Sequence, residues 1–118
     1  MKIFNKSKNT VIAQNACLAD TFRTRMKGLL GRDKIAAGEA LVITKCRSVH
    51  MLFMRFAIDA IFVDKQSRVV GLVADIRPFH LSPLFFHARY VIELPSGAIM
   101  ATKTSLGDQL ECQPGVPE

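Results

Sequence analysis

The chain has 118 residues, 49% of them apolar and 22% charged, and carries a net charge of +6. That is one globular domain's worth of sequence, which excludes a disordered tail, a collagen-like repeat and a disulfide-dense miniature. Every apolar run is interrupted short of the ~20 residues that span a bilayer, and the polar opening MKIFNKSKNT lacks the apolar stretch of a secretory signal.

Lys2–Phe4 predicts a short strand that turns through Asn5–Thr10 into a second strand, Val11–Leu18, as a hairpin. Asp20 or Thr21 then caps a helix in which Phe22, Met26, Leu29 and Leu30 share one face. Gly31 supplies the left-handed residue that ends it. Gly28 marks a close approach, because glycine costs a helix interior about 1 kcal/mol. Strand signals dominate the remainder. Ala40–Thr44 is apolar and β-branched. Ile58–Val63 runs into the polar turn Asp64–Ser67 and returns along Arg68–Ala74, the clearest hairpin in the chain. Tyr90–Leu94 alternates before the turn at Pro95, Ser96 and Gly97. Ile99–Ser105 predicts a short helix and Gly107–Cys112 a last strand. One packed amphipathic helix with six to seven short strands makes the class α+β, mainly β, with a small curled or barrel-like sheet. Residues 1–118 read as a single domain, with 113–118 as a tail.

The charge is uneven. Residues 1–59 hold eleven Lys or Arg against four Asp or Glu, whereas residues 60–118 hold five against six. A basic half suits a polyanion partner or serves as a solvated face. Arg23, Arg25, Lys27, Arg32 and Lys34 cluster with Phe22 as the one aromatic beside them. Nucleic-acid readers interleave more aromatics than that, so the solvated face is preferred. Cys17, Cys46 and Cys112 are an odd number without a Cys-x-x-Cys pair, which suits three free thiols in a reducing, cytoplasmic setting.

The unusual choices gather between Ser48 and Asp59. His50, Met54, Arg55 and Asp59 stand among apolar residues, where an unpartnered polar group is costly. Read functionally, they form with Arg32 a candidate ligand site in which Asp59 orients Arg55 or His50 toward a polar or anionic ligand. Read structurally, Asp59 caps a strand end or pairs with Arg55 across a bend in the chain, as an ionised carboxylate held by hydrogen bonds, and His50 is a satisfied imidazole. Buried polar groups are normally paired, so the structural reading is preferred. His50, His80, His87 and the cysteines lack metal-ligand spacing, and no metal or cofactor is predicted. Cys46, between Lys45 and Arg47, has the most electropositive neighbours of the three thiols, the setting that favours a thiolate. Neither a Gly-x-Ser-x-Gly elbow nor a phosphate-cradling glycine loop is present.

Arg77–Ala88 is a second oddity, carrying two prolines yet also Phe79, Leu81, Leu84, Phe85 and Phe86. It either closes one end of the core or presents Phe79, His80, Phe85 and Phe86 to a partner. Core closure is preferred, since most apolar residues of a small domain are buried.

The ordered set of motifs resembles one family. Arg-x-x-Gly-Leu-Leu-Gly-Arg (Arg25 to Arg32) is followed by Met-Arg-Phe-x-Ile-Asp-x-Ile-Phe-Val-Asp (Met54 to Asp64). Then come Val-Val-Gly-Leu-Val, Tyr-Val-Ile-Glu-Leu-Pro-Ser-Gly (Tyr90 to Gly97) and Gly107-Asp108. Together these look like domain of unknown function 192, over residues 10–112. The resemblance implies a mainly β, barrel-like domain with the Gly-Leu-Leu-Gly-Arg helix packed on it, and no settled mechanism or cofactor. Phe53 stands where many relatives have Trp. The function expected is a non-catalytic ligand-binding or protein-interaction domain, whose partner is a small polar ligand or a protein. The alternatives are an enzyme using His50, Arg55 and Asp59, and a polyanion binder using the basic helix.

Overall fold

The computed structural model describes residues 1–19, 34–49, 51 and 55–114. The predicted helix over residues 20–31 lies outside them. Among the described residues there are eight strands and one short helix: β1 (Lys2–Asn5), β2 (Thr10–Ala13), β3 (Asn15–Ala19), β4 (Glu39–Thr44), β5 (Ile58–Val63), β6 (Val69–Ile76), β7 (Tyr90–Pro95), α1 (Ala98–Ala101) and β8 (Leu110–Gln113). They make a three-stranded sheet in the order β2-β1-β8 and a five-stranded sheet in the order β3-β4-β7-β5-β6. The α+β, mainly β class holds, but the sheets stay open and do not close into a barrel.

The strand count exceeds the expectation because Val11–Leu18 is two strands. Gln14 breaks the run, and the amides of Gln14 and Asn15 both donate to the Gly38 carbonyl at 2.9 Å. The chain thereby passes from the antiparallel β1–β2 hairpin into the other sheet, where β3 pairs with β4 in parallel. A tight turn cannot join parallel neighbours, and β3 and β4 are separated in the chain by residues 20–38. β8 likewise runs one residue into the stretch read as tail.

The predicted β5–β6 hairpin is present, antiparallel, with Phe62 opposite Gly71 and Ile58 opposite Ile76. The Asp64 carboxylate fixes its turn by accepting from the amides of Gln66 and Arg68, both at 2.9 Å. β5 is buried at every position. Leu41, Ile43, Ile58, Ala60, Phe62 and Val91 face one core cluster, joined by Ile35, Val49, Met51 and Ala88. Ala40, Val42, Ile61, Val63, Ile92 and Leu94 face a second cluster, which the smaller sheet covers with Ile3, Ile12 and Leu110. Burial on both faces explains why Ile58–Val63 reads as a continuous apolar run rather than an alternating one. Each large side chain so buried contributes roughly 1.5–3 kcal/mol.

Candidate functional site

Asp59 is the one carboxylate on β5, and its side chain is fully buried on the face of the second cluster. Two features of the backbone converge on it. Between the pairs Ile58–Ile76 and Ala60–Val73, β6 carries one residue more than β5, a bulge. Asp75 in that bulge takes a φ of 54°, and its amide donates to Asp59 Oδ1 at 2.8 Å. The start of α1 approaches from the other side. Gly97, at a φ of 95°, donates its amide to Oδ2 at 3.1 Å, and Ile99 donates at 2.8 Å. Asp59 thus ties β5, the β6 bulge and the first turn of α1 together. The expected hydrogen-bonded carboxylate is present, and the chain bends at Arg55 and Phe56 just ahead of β5. Its partners are backbone amides rather than the Arg55 guanidinium, which is exposed. A cavity of about 780 Å³ adjoins it, lined by Asp59, Asp75, Ser96, Ile99, Met100 and Lys103 among others. Arg32, His50 and Met54, the remaining members of the predicted ligand site, lie outside the described residues.

The loop after β6 departs from the preferred expectation. Phe79, Leu81, Leu84 and Phe86 are 73%, 74%, 53% and 70% exposed, so the loop does not spend its apolar residues on closing the core. His80 is exposed as well, its Nδ1 lying 3.2 Å from the Pro78 carbonyl. Phe85 alone of the four predicted partner-loop residues turns inward, its ring centroid 4.4 Å from that of Phe62. The loop is nevertheless pinned. Phe79 and Ser82 donate their amides to the carbonyls of Met51 and Val49, Met51 donates back to His80, and Phe85 donates to Arg47. Buried Ser82 also accepts the Val49 amide on its hydroxyl at 2.8 Å. A firm backbone therefore holds its apolar side chains out in water.

Comparison with known sequences decides the family. Residues 3–112 match the family described as DUF192, an uncharacterized ACR. The chain belongs to the DUF192 family. A UPF0127 protein of Pyrococcus furiosus is 34% identical over 112 residues, covering 92% of this chain and 96% of the relative. A UPF0127 protein of Thermococcus sibiricus is 32% identical over 113 residues, covering 92% and 73% respectively. Two crystal structures share the fold. A protein of unknown function from Novosphingobium aromaticivorans superposes with a TM-score of 0.78 at 22% identity, covering 94% of this chain and 82% of that one. A putative transcription regulator from Sinorhizobium meliloti superposes with a TM-score of 0.74 at 21% identity, covering 93% and 89%. At those identities the likeness is one of fold.

This DUF192 chain also holds a polar network that reading the residues in order did not reveal. Asn5 of β1 is fully buried and donates its amide to Asp108 Oδ2 at 2.9 Å. Lys8 reaches both oxygens of Asp108, at 2.8 and 2.9 Å, and the Ser105 amide adds a bond of 2.9 Å. Burial alone would raise the Asp108 carboxyl, but the Asn5, Lys8 and Ser105 donors outweigh it and hold its pKa below the ordinary 3.8. The network clamps the β1–β2 turn to the loop before β8. The signal was the Gly107-Asp108 pair in the family pattern; the partners a hundred residues upstream gave none. Glu93 of β7 is a second buried carboxylate missed, facing the first cluster between Leu41 and Ala60 in register. Cys46 donates its thiol to the Ser48 carbonyl at 2.9 Å. Among the described residues no helix is long and apolar enough to cross a membrane.

Proposed function

We propose that this DUF192 chain is a non-catalytic protein-interaction domain whose contact surface is the loop from Arg77 to Arg89. The observation that carries this is the outward display of Phe79, Leu81, Leu84 and Phe86 on a hydrogen-bonded backbone. Large apolar side chains exposed together on one short loop are the kind of surface that marks contact sites. Charge narrows the partner. Residues 77–89 contain Arg77, His80, His87 and Arg89 and no Asp or Glu. A second copy meeting this surface face to face would set like charges against each other. The fitting occupant is a different protein with an apolar patch and an acidic rim. Asp59 supports a non-catalytic reading, because its oxygens are engaged by three backbone amides. Residues 1–118 are taken as one domain, and the three unbridged cysteines suit the cytoplasm.

The test is site-directed photo-crosslinking in a cell extract, with the reactive residue at position 81. Position 106 is the control, since Leu106 is also 66% exposed but lies off the loop. The reading expects a discrete protein adduct from position 81, lost on Phe79→Ser with Leu84→Ser and weakened by salt. Equal adducts from both positions, or none from 81, would overturn it.

A further inference from the structure

Three cationic residues from separate parts of the sequence line one cleft. Arg47 follows β4, Lys65 lies in the β5–β6 turn, and Arg89 precedes β7. With Asp64, Gln66, Val70, Phe86, His87 and Ala88 they line a concavity of about 570 Å³. The frame is fixed by main-chain bonds. Phe85 donates to the Arg47 carbonyl at 2.8 Å, Arg89 donates to Val63 at 2.7 Å, and Asp64 donates to Arg68 at 3.0 Å.

The charges in this cleft do not balance. Asp64 is the one carboxylate among its lining residues, and its Oδ1 is held by the amides of the turn. Among the described residues, Arg47, Lys65 and Arg89 make no ion pair. Like charges gathered on a concave wall concentrate a positive potential, which an anion relieves. Two guanidiniums and an ammonium offer the forked donors and point charge that suit a dianion. Phe86, 70% exposed, adds an aromatic side chain to the same lining.

We infer that this cleft binds a small phosphate monoester, with Arg47, Lys65 and Arg89 holding the phosphate and Phe86 contacting the organic body. A volume of this order accommodates a mononucleotide-sized molecule. Phe86, His87, Ala88 and Arg89 belong to both this cleft and the proposed contact loop, but Phe79, Leu81 and Leu84 do not line the cleft, so the two readings can be tested apart.

The experiment is a titration of the full chain followed by two-dimensional NMR, with each probe compared at the same added ionic strength. Adenosine monophosphate, inorganic phosphate and sodium chloride are compared as probes. The inference expects saturable shifts of the amides at 64–66 and 86–89, with the nucleotide binding about ten-fold more tightly than inorganic phosphate. Lys65→Met, at an exposed turn position, should weaken both ligands several-fold at an unchanged thermal midpoint. Arg89→Ala should do the same at an unchanged thermal midpoint, and Phe86→Ser should weaken the nucleotide alone. Shifts that chloride reproduces, or affinities unchanged by Lys65→Met, would overturn the site. Equal affinity for nucleotide and inorganic phosphate would overturn the organic ligand. Leu81→Ser should leave every arm unchanged, so failure of the loop reading and failure of this one are distinguishable.

Discussion

The ring of Phe85 lies against the bare Cα of Gly71, so closely that a Cβ there would stand 2.5 Å from two of its carbons. The same ring packs on Phe62 of β5. Glycine in β6 is therefore the space into which the exposed loop plants its one inward aromatic.

Gly71→Ala should expel that ring. Overpacking of this kind costs about 1–3 kcal/mol. Urea denaturation gives the stability change, and limited proteolysis across residues 78–88 reports the release of the loop. A change below about 0.5 kcal/mol would mean the ring yields freely and does not anchor the loop.

Asp59→Asn tests the three-way clamp at the end of β5. Asparagine keeps the shape, but whichever way its amide is turned, its NH₂ confronts at least one of the amides of Asp75, Gly97 and Ile99. Loss of charge-assisted bonds in a buried place should cost about 1–3 kcal/mol in urea denaturation. A cost close to zero would show that the three amides find other acceptors.

Asp108 should shape the acid limb of stability. Its folded pKa lies below the ordinary 3.8, because the Asn5, Lys8 and Ser105 donors outweigh the burial that would raise it. A lowered folded pKa contributes stability that is fully present above the unfolded value and is lost as pH falls through the folded one. Urea midpoints measured from neutral pH down to about 2 should fall more steeply below pH 4 in the parent than in Asp108→Asn. Parallel acid limbs in the two proteins would remove Asp108 as their cause.

All three cysteines should titrate as free thiols in the unfolded, unreduced chain. Recovery of one would mean a disulfide and would end the compartment argument. In the folded protein, Cys112 is exposed overall, but desolvation around its sulfur pushes the thiol pKa up and outweighs the Tyr90 hydroxyl, whose hydrogen bond to the sulfur lowers it. Labelling of Cys112 should accordingly be slow at neutral pH and quicken as the solution becomes alkaline.

The β5–β6 hairpin was legible because its signals are local: two apolar runs and a turn whose Asp64 caps its own neighbours. The sheet change at Gln14 was not, since it depends on the Gly38 carbonyl two dozen residues away. The loop misled for a different reason. Apolar content reports the tendency to be buried, but Phe85 is bound inward while its neighbour Phe86 is 70% exposed, and nothing in the sequence separates them. Asp59 was recognised as a held carboxylate, yet its holders are main-chain amides, which every residue possesses and no motif advertises. The cationic cleft was invisible because Arg47, Lys65 and Arg89 each look like ordinary surface charge until the fold gathers them.

The ladder that joins Ile3 of β1 to Cys112 of β8 bears on how the chain is made. On the ribosome, β2 is at hand almost at once, whereas β8 arrives only after about a hundred further residues, tens of seconds later at the slower rates of synthesis. Through that interval the far edge of the N-terminal hairpin offers unpaired amides and carbonyls to any passing strand, with Ile3 and Ile12 still waiting for Leu110. Lys2 and Lys6 flank that edge, and their charge is what a nascent chain has to discourage a wrong pairing until the right one exists.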